Sequence, residues 1–199
     1  MALLSAPALR FLSPSKSPWR LSEVAGRFIE ISSTGASAAL SLTFNLIDEA
    51  QQRGEPAAWV TSTEDCFYPP DAAQNGIDLA ALVVVRLTDA TFIARAGEKL
   101  LRSGGFGLIV LDLDGEDIPM PLQTRLTGLA QRHHTALVCL TKKNRAAFSL
   151  GSLISLRAHA QKKRVAHNRF TCALRVLKDK RRGPTWNHEA LYNGPAGLC

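Results

Sequence analysis

The sequence predicts a three-layer α/β/α domain whose sheet is mainly parallel and ends in an antiparallel extension. Three observations predict it. From Gly26 onward, apolar runs of strand length alternate with segments of helical periodicity, in the order β-α-β-α-β-α-β. The strands are apolar throughout, as in a parallel sheet covered on both sides. After about Leu153 the pattern changes to alternating runs joined by basic turns, which predicts antiparallel strands on the same sheet.

Residues 1–25 carry Pro7, Pro14 and Pro18 and read as an irregular arm with one apolar patch, ALRFL. Residues 26–199 form the core domain. RFIEIS is its first strand. SLTFNLIDEAQQRG is a helix with Leu42, Leu46 and Ile47 on one side, closed by Gly54. AAWVTS is a strand, YPPD a turn, and LAALVVVRL a buried strand. Thr91–Arg102 is a helix with Phe92, Ala96 and Leu100 on one face. FGLIVLDLDG is a strand ending in acids, LQTRLTGLAQRHH a helix, and TALVCLT a strand. LISLRAHAQ, RFTCALRVLK and TWNHEALY make the antiparallel extension.

An apolar fraction of 46% in 199 residues supports one sizeable core. No apolar run is long enough for a membrane helix, and MALLSAPALRFLSP lacks a basic leader and a clean cleavage site. Cys66, Cys139, Cys172 and Cys199 form no paired motif, and Cys139 in TALVCL reads as a buried reduced thiol. Adjacent His133 and His134 face different sides of a helix, so they do not share a metal. A cytoplasmic location follows, nucleoid-associated if DNA is bound.

The net charge of +7 is uneven. Between Lys142 and Arg182, thirteen Lys or Arg stand against one acid, a net of +12 that leaves −5 for the remainder. A basic C-terminal third predicts a polyanion or an acidic protein as partner. Lys162, Lys163 and Arg164 fall between two strands and Lys180, Arg181 and Arg182 in the next turn, as if two basic turns met phosphates at one edge. Few aromatics accompany them, so base stacking is minor.

Between the first strand and helix lies EISSTGASAALSL. A loop of small residues in that setting is the usual place for a phosphate. Glu64 and Asp112 fall at the carboxyl ends of neighbouring strands, where ligands of such sheets bind.

Taken together, GRFIEIS, LIDEAQQRGEPAAWV, NGIDLAALVV, LLRSGGFGLIVLDLD and LRVLKDKRRGP resemble the RecA recombinase core, in order, from Gly26 to Tyr192. The family's phosphate loop reads Gly-x-x-x-x-Gly-Lys-Thr; the matching positions here are Ser33, Ala38, Ala39 and Leu40. Both glycines, the lysine and the metal-binding hydroxyl are therefore replaced. By the same resemblance, Asp112 matches the Walker B acid, Glu64 the water-activating glutamate and Lys142 the nucleotide-sensing glutamine. The family's two mobile DNA loops are short here, and its long polymerisation arm has no counterpart in the proline-broken start. Lys178 and Lys180 match lysines that cross a subunit boundary toward a neighbour's nucleotide.

A RecA-shaped domain without the motor resembles the ImuA-type accessory proteins, encoded in many bacteria beside an inactive Y-family polymerase, ImuB, and an error-prone C-family polymerase. That resemblance implies a non-catalytic adaptor of the SOS response and translesion synthesis, binding RecA, an ImuB-like polymerase homologue or both, with no cofactor. The alternatives are an atypical RecA-family ATPase or recombination mediator that borrows Lys178 or Lys180 from a neighbour, and a DNA-binding module using the basic third.

Overall fold

The computed structural model describes residues 18–34, 38–63, 67, 69–113, 115–167 and 169–193. Its centre is an eight-stranded sheet of order β3-β2-β4-β5-β1-β6-β7-β8. The strands are β1 (Phe28–Ser33), β2 (Ala57–Ser62), β3 (Leu82–Leu87), β4 (Leu108–Asp112), β5 (Ala136–Lys142), β6 (Leu156–Ala166), β7 (Arg169–Asp179) and β8 (Asn187–Asn193). Among the described residues the α-helices are α1 (Leu21–Val24), α2 (Ala38–Gln52), α3 (Pro69–Gln74), α4 (Ile93–Ser103) and α5 (Met120–His133). No described helix is long and apolar enough to cross a membrane.

Alternation along each strand divides the core in two. Ile29 and Ile31 of β1, Trp59 of β2 and Val110 of β4 face α1, α2 and α3. Phe28, Val60 and Ile109 face α4 and α5. Phe44, Trp59 and Phe67 form an aromatic cluster on the first side, with centroids 5.3–6.3 Å apart.

Gly97 marks the closest approach of α4 to the sheet. An alanine Cβ there would lie 2.7 Å from Leu111 Cδ2, and Leu111 is itself fully buried. Overpacking costs about 1–3 kcal/mol, while alanine returns roughly 1 kcal/mol of helix propensity. Gly97→Ala is therefore expected to lower stability by about 1 kcal/mol in urea titration; a gain would mean that β4 and α4 are looser than this contact implies.

Three expectations are corrected. β6 pairs parallel to β1, Ile29 against Leu156 through Ser32 against His159, so the antiparallel part begins only at β7. The YPPD segment enters a six-residue helix, α3, in which Pro69 and Pro70 occupy the first turn, where a proline's missing N–H costs nothing. The end of the predicted arm packs into the core. Trp19, Leu21 and Val24 are buried on the α2 side, and Trp19 Nε1–H donates to the Leu42 carbonyl at 3.0 Å. Enough apolar surface follows Pro18 to anchor a short helix there, which proline spacing alone does not reveal. The patch ALRFL lies outside the described residues.

α2 is the helix packed on β6 and β7. On the other side of these strands and β8, Gln161, Lys163, Arg175, Glu189 and Leu191 are exposed. The sheet therefore has helices on both sides of β1, β2, β4 and β5 and, among the described residues, on one side of β6–β8.

Candidate functional site

The carboxyl ends of the parallel strands meet at the start of α2. Ser33 ends β1 and is buried, and Lys142 of β5 is its neighbour in register. Ala38 and Ala39 open α2, both buried, and Leu40 packs against the core on the α2 side. Position 39 thus carries a buried methyl group, and position 40 an apolar side chain turned partly into the protein. Asp112 ends β4, half-buried, paired in register with Leu140. The middle of the loop and Glu64 lie outside the described residues.

Beside this end, Ser32 Oγ lies 3.1 Å from His159 Nδ1 and donates to the Ala158 carbonyl at 3.3 Å. Burial, then the charges of Arg145 and Arg157, hold the His159 imidazolium pKa below its ordinary value. The pair is enclosed, with Ser32 fully buried, so it serves to join β1 to β6.

Glu30 is the polar centre that the sequence analysis missed. It is fully buried on β1, on the α4/α5 side. Ser149 Oγ–H donates to Oε2 at 2.7 Å and the Leu150 amide to the same oxygen at 3.0 Å. Thr141 Oγ1–H reaches Oε1 at 3.4 Å. Lys143 Nζ and Arg157 Nε stand 3.7 Å from Oε1 and Oε2. One carboxylate therefore joins β1, the end of β5, the segment that follows it and β6. A usable signal existed: an acid inside an apolar strand needs cations, and KKNR follows β5.

The basic residues divide. Lys162, Lys163 and Arg164 lie within β6, toward the tip of the β6–β7 hairpin. Lys162 Nζ sits 4.4 Å over the Phe170 ring, and Arg164 contacts the Ala166 carbonyl and His167. Lys178, Lys180, Arg181 and Arg182 lie at the hairpin's other end. Lys178 pairs with Arg157 and Asp179 with Leu156, so along β6 the two groups are five residues apart at their nearest, Lys162, and eight from Arg164 to the level of Asp179, about 17 to 26 Å. The expectation of two basic turns at one edge is thus corrected: an 11-residue antiparallel strand carries its ends to opposite edges of the sheet.

The turn after β7 is built on Asp179. Its carboxylate takes Arg27 Nη2 at 2.6 Å, Trp186 Nε1–H at 2.9 Å and the Arg181 amide at 2.8 Å. Arg182 pairs with the Glu23 carboxylate, Arg181 reaches the Glu23 carbonyl, and Lys178 Nζ donates to the Ser152 carbonyl at 3.2 Å. Burial, then Lys180, draws Lys178 below the ordinary lysine range. Lys178 lies level with Glu30 across β6, and Lys180, whose amide bonds the Ser155 carbonyl, lies level with Phe28 at the start of β1, so both are set back from the α2 loop of their own chain.

With this geometry in view, sequence comparison is informative. No family model matches the chain. Over 132 residues it is 30% identical to Protein RecA of Rickettsia massiliae (strain Mtu5), covering 58% of this chain and 38% of that protein. Over 140 residues it is 32% identical to Protein RecA of Chloroherpeton thalassium, covering 64% of this chain and 38% of that one. The chain is similar to RecA. It spans about 38% of the length of these curated relatives. The mixed sheet is that of a RecA-like core, mostly parallel with antiparallel strands at its C-terminal end.

Proposed function

We propose that the protein is a non-catalytic RecA-like adaptor of the SOS response and translesion synthesis, binding RecA, an ImuB-like polymerase homologue or both. The start of α2 carries this reading. A nucleoside triphosphate brings roughly three to four negative charges, which a binding loop must meet with a cation and a metal. Here a buried Ala39 and a core-facing Leu40 supply neither. Lys142, next to Ser33, is the nearest candidate cation by register, but it lies on another strand and does not replace the missing hydroxyl.

Purified protein is expected to turn over no ATP above a blank, with or without single-stranded DNA, and to give no heat in a titration with Mg-ATP. It is expected to bind a RecA filament or an ImuB-like homologue in a pull-down. ATP hydrolysis abolished by Glu64→Gln would remove the adaptor reading. An ATPase that borrows Lys178 or Lys180 needs a second copy, because both lie two strands from β1 and are set back from its end, where α2 begins; nucleotide-dependent assembly in light scattering would favour it.

A second reading, a nucleic-acid module, is supported by the exposed cations near the hairpin tip. Lys162, Lys163 and Arg164 replaced by alanine should then lower DNA affinity and its salt slope together, by about one per lost phosphate contact. An unchanged slope favours a protein partner.

A further inference from the structure

Phe148 is 92% exposed, the most open large apolar side chain described. Single exposed apolar residues are ordinary. What sets Phe148 apart is the backbone that carries it. On one side, Ser149 and Leu150 are tied to the buried Glu30 carboxylate. The Leu150 carbonyl also accepts from Gln123 Nε2 at 2.8 Å. On the other side, the Ala147 amide donates to Asn144 Oδ1 at 2.8 Å, and the Ala147 carbonyl accepts from Arg157. The ring is thus held out into solvent by a segment fixed at both of its neighbours. Little ordering remains to oppose binding, which is the condition under which one aromatic contributes most to affinity.

The surroundings are basic but largely committed. Lys143 and Arg157 lie against Glu30, and Lys143 also stands 3.7 Å from Asp117. Arg145 is exposed and close enough for His159 to feel its charge. Beyond His159 runs the open side of β6–β8. Arg175 pairs with His159, Thr171 with Lys163, and Leu191 with Thr171, so cations frame a small apolar strip.

We propose that Phe148 and the adjoining open side of β6–β8 form a docking surface for a protein whose own surface is acidic around an apolar recess that takes the ring. The proposal deepens the adaptor reading and rests on it. Three features favour protein over nucleic acid. Two of the surrounding cations, Lys143 and Arg157, already lie against the Glu30 carboxylate, which leaves separate rather than continuous positive charge. Carboxylates, Asp117 beside Lys143 and Glu189 opposite Ala173, interrupt the cations, so the surface suits the separate carboxylates of a protein rather than the continuous charge of a phosphate backbone. Among the described residues, one ring without aromatic neighbours makes no stacking ladder, whereas one aromatic within a polar rim is the layout of an interface hot spot.

The test uses the full chain, wild type and two variants, Phe148→Ala and the double reversal Arg145→Glu with Arg175→Glu. Three probes are titrated: a RecA filament on single-stranded DNA, a purified ImuB-like homologue, and an oligo-dT strand. Phe148→Ala is expected to weaken one protein probe about thirtyfold or more. The double reversal should weaken the same probe, with a flatter salt dependence. Neither variant should shift the melting temperature, since these side chains are exposed. If every protein probe that wild type binds is bound equally by Phe148→Ala, the docking surface is overturned and the adaptor reading left intact. Loss of oligo-dT affinity in step with the protein probe overturns the protein assignment. If wild type binds neither protein, the adaptor reading falls, and photocrosslinking in cells from a benzoylphenylalanine at position 148 decides the surface. An adduct mapped to an acidic protein segment sustains it; adducts with nucleic acid only, or none, overturn it.

Discussion

Glu30→Ala is expected to destabilise the protein by about 3 kcal/mol or more, among the largest effects of any single change on the sheet. The loss is not that of a favourable pair alone. Removing one partner of a buried ion pair leaves the other charges without compensation, and these lie with 18% and 12% of their side chains exposed for Lys143 and Arg157. The amide of Leu150 also loses its acceptor, at about 1–3 kcal/mol for a donor left buried, while the Ser149 hydroxyl keeps the Gly151 carbonyl at 3.3 Å. Partial access to water keeps the sum toward the lower end. Glu30→Gln retains an acceptor for both donors and removes only the charge, so it should cost clearly less. Urea titration orders the three proteins. Hydrogen exchange gives a second readout, because protection of residues 143–151 should fall in Glu30→Ala while β2 and β4 stay protected. Equal stability of Glu30→Ala and wild type would mean that the segment after β5 is held by other contacts.

The second large effect is expected at Asp179, which lies level with Ile29 across β6. Arg27 and Asp179 form a buried pair, with side chains 3% and 0% exposed, 2.6 Å apart. Asp179→Ala strands the Arg27 guanidinium, which keeps only Ser155 Oγ at 3.2 Å and the Ser155 carbonyl at 2.9 Å, and should cost about 3–5 kcal/mol. Burial alone would raise the Asp179 carboxyl; hydrogen bonds from Arg27, Trp186 and the Arg181 amide outweigh it and hold the group below the usual aspartate range. Burial likewise draws Arg27 down, against the opposing pull of Asp179, and it stays charged. The sign for pH follows. A carboxyl whose folded pKa is depressed adds stability that is present above about pH 4, the unfolded value, and is lost as pH falls through the folded value. Stability in urea should therefore fall as pH drops below about 4. That part of the slope should vanish in Asp179→Asn. A slope unchanged in the variant would assign acid sensitivity to other groups.

Much of this architecture was legible in the sequence, and the reasons differ by element. Strand β2 begins and ends where AAWVTS predicts, because a short apolar run between a helix-closing glycine and a polar loop leaves few other options. The order of strands and helices followed from periodicity; Ser33 and Asp112 end β1 and β4, and Ala38, Ala39 and Leu40 open α2. Trp19 and Val24 were hidden by proline density, since a buried anchor after a proline looks locally like any loop. Glu30 was hidden by distance: its partners lie 111 to 127 residues away, and no window of sequence contains both sides of the interaction. The separation of the two basic groups was hidden by hairpin length, which places neighbours in the sequence at opposite ends of a ribbon. The alternation Arg157, His159, Gln161, Lys163 along β6 did carry a period of two, enough to mark one side of the sheet.

The one-sided cover of β6–β8 divides the molecule mechanically. Backbone bonds of β1 and β5 lie between two helical layers, so breaking them requires nearly global opening. Those of β7 and β8 have one layer above and water below, and open at lower free energy. Whatever settles on the bare side supplies the missing third layer, so the gain in rigidity would concentrate in the last third of the chain and leave the nucleotide-like end almost unchanged.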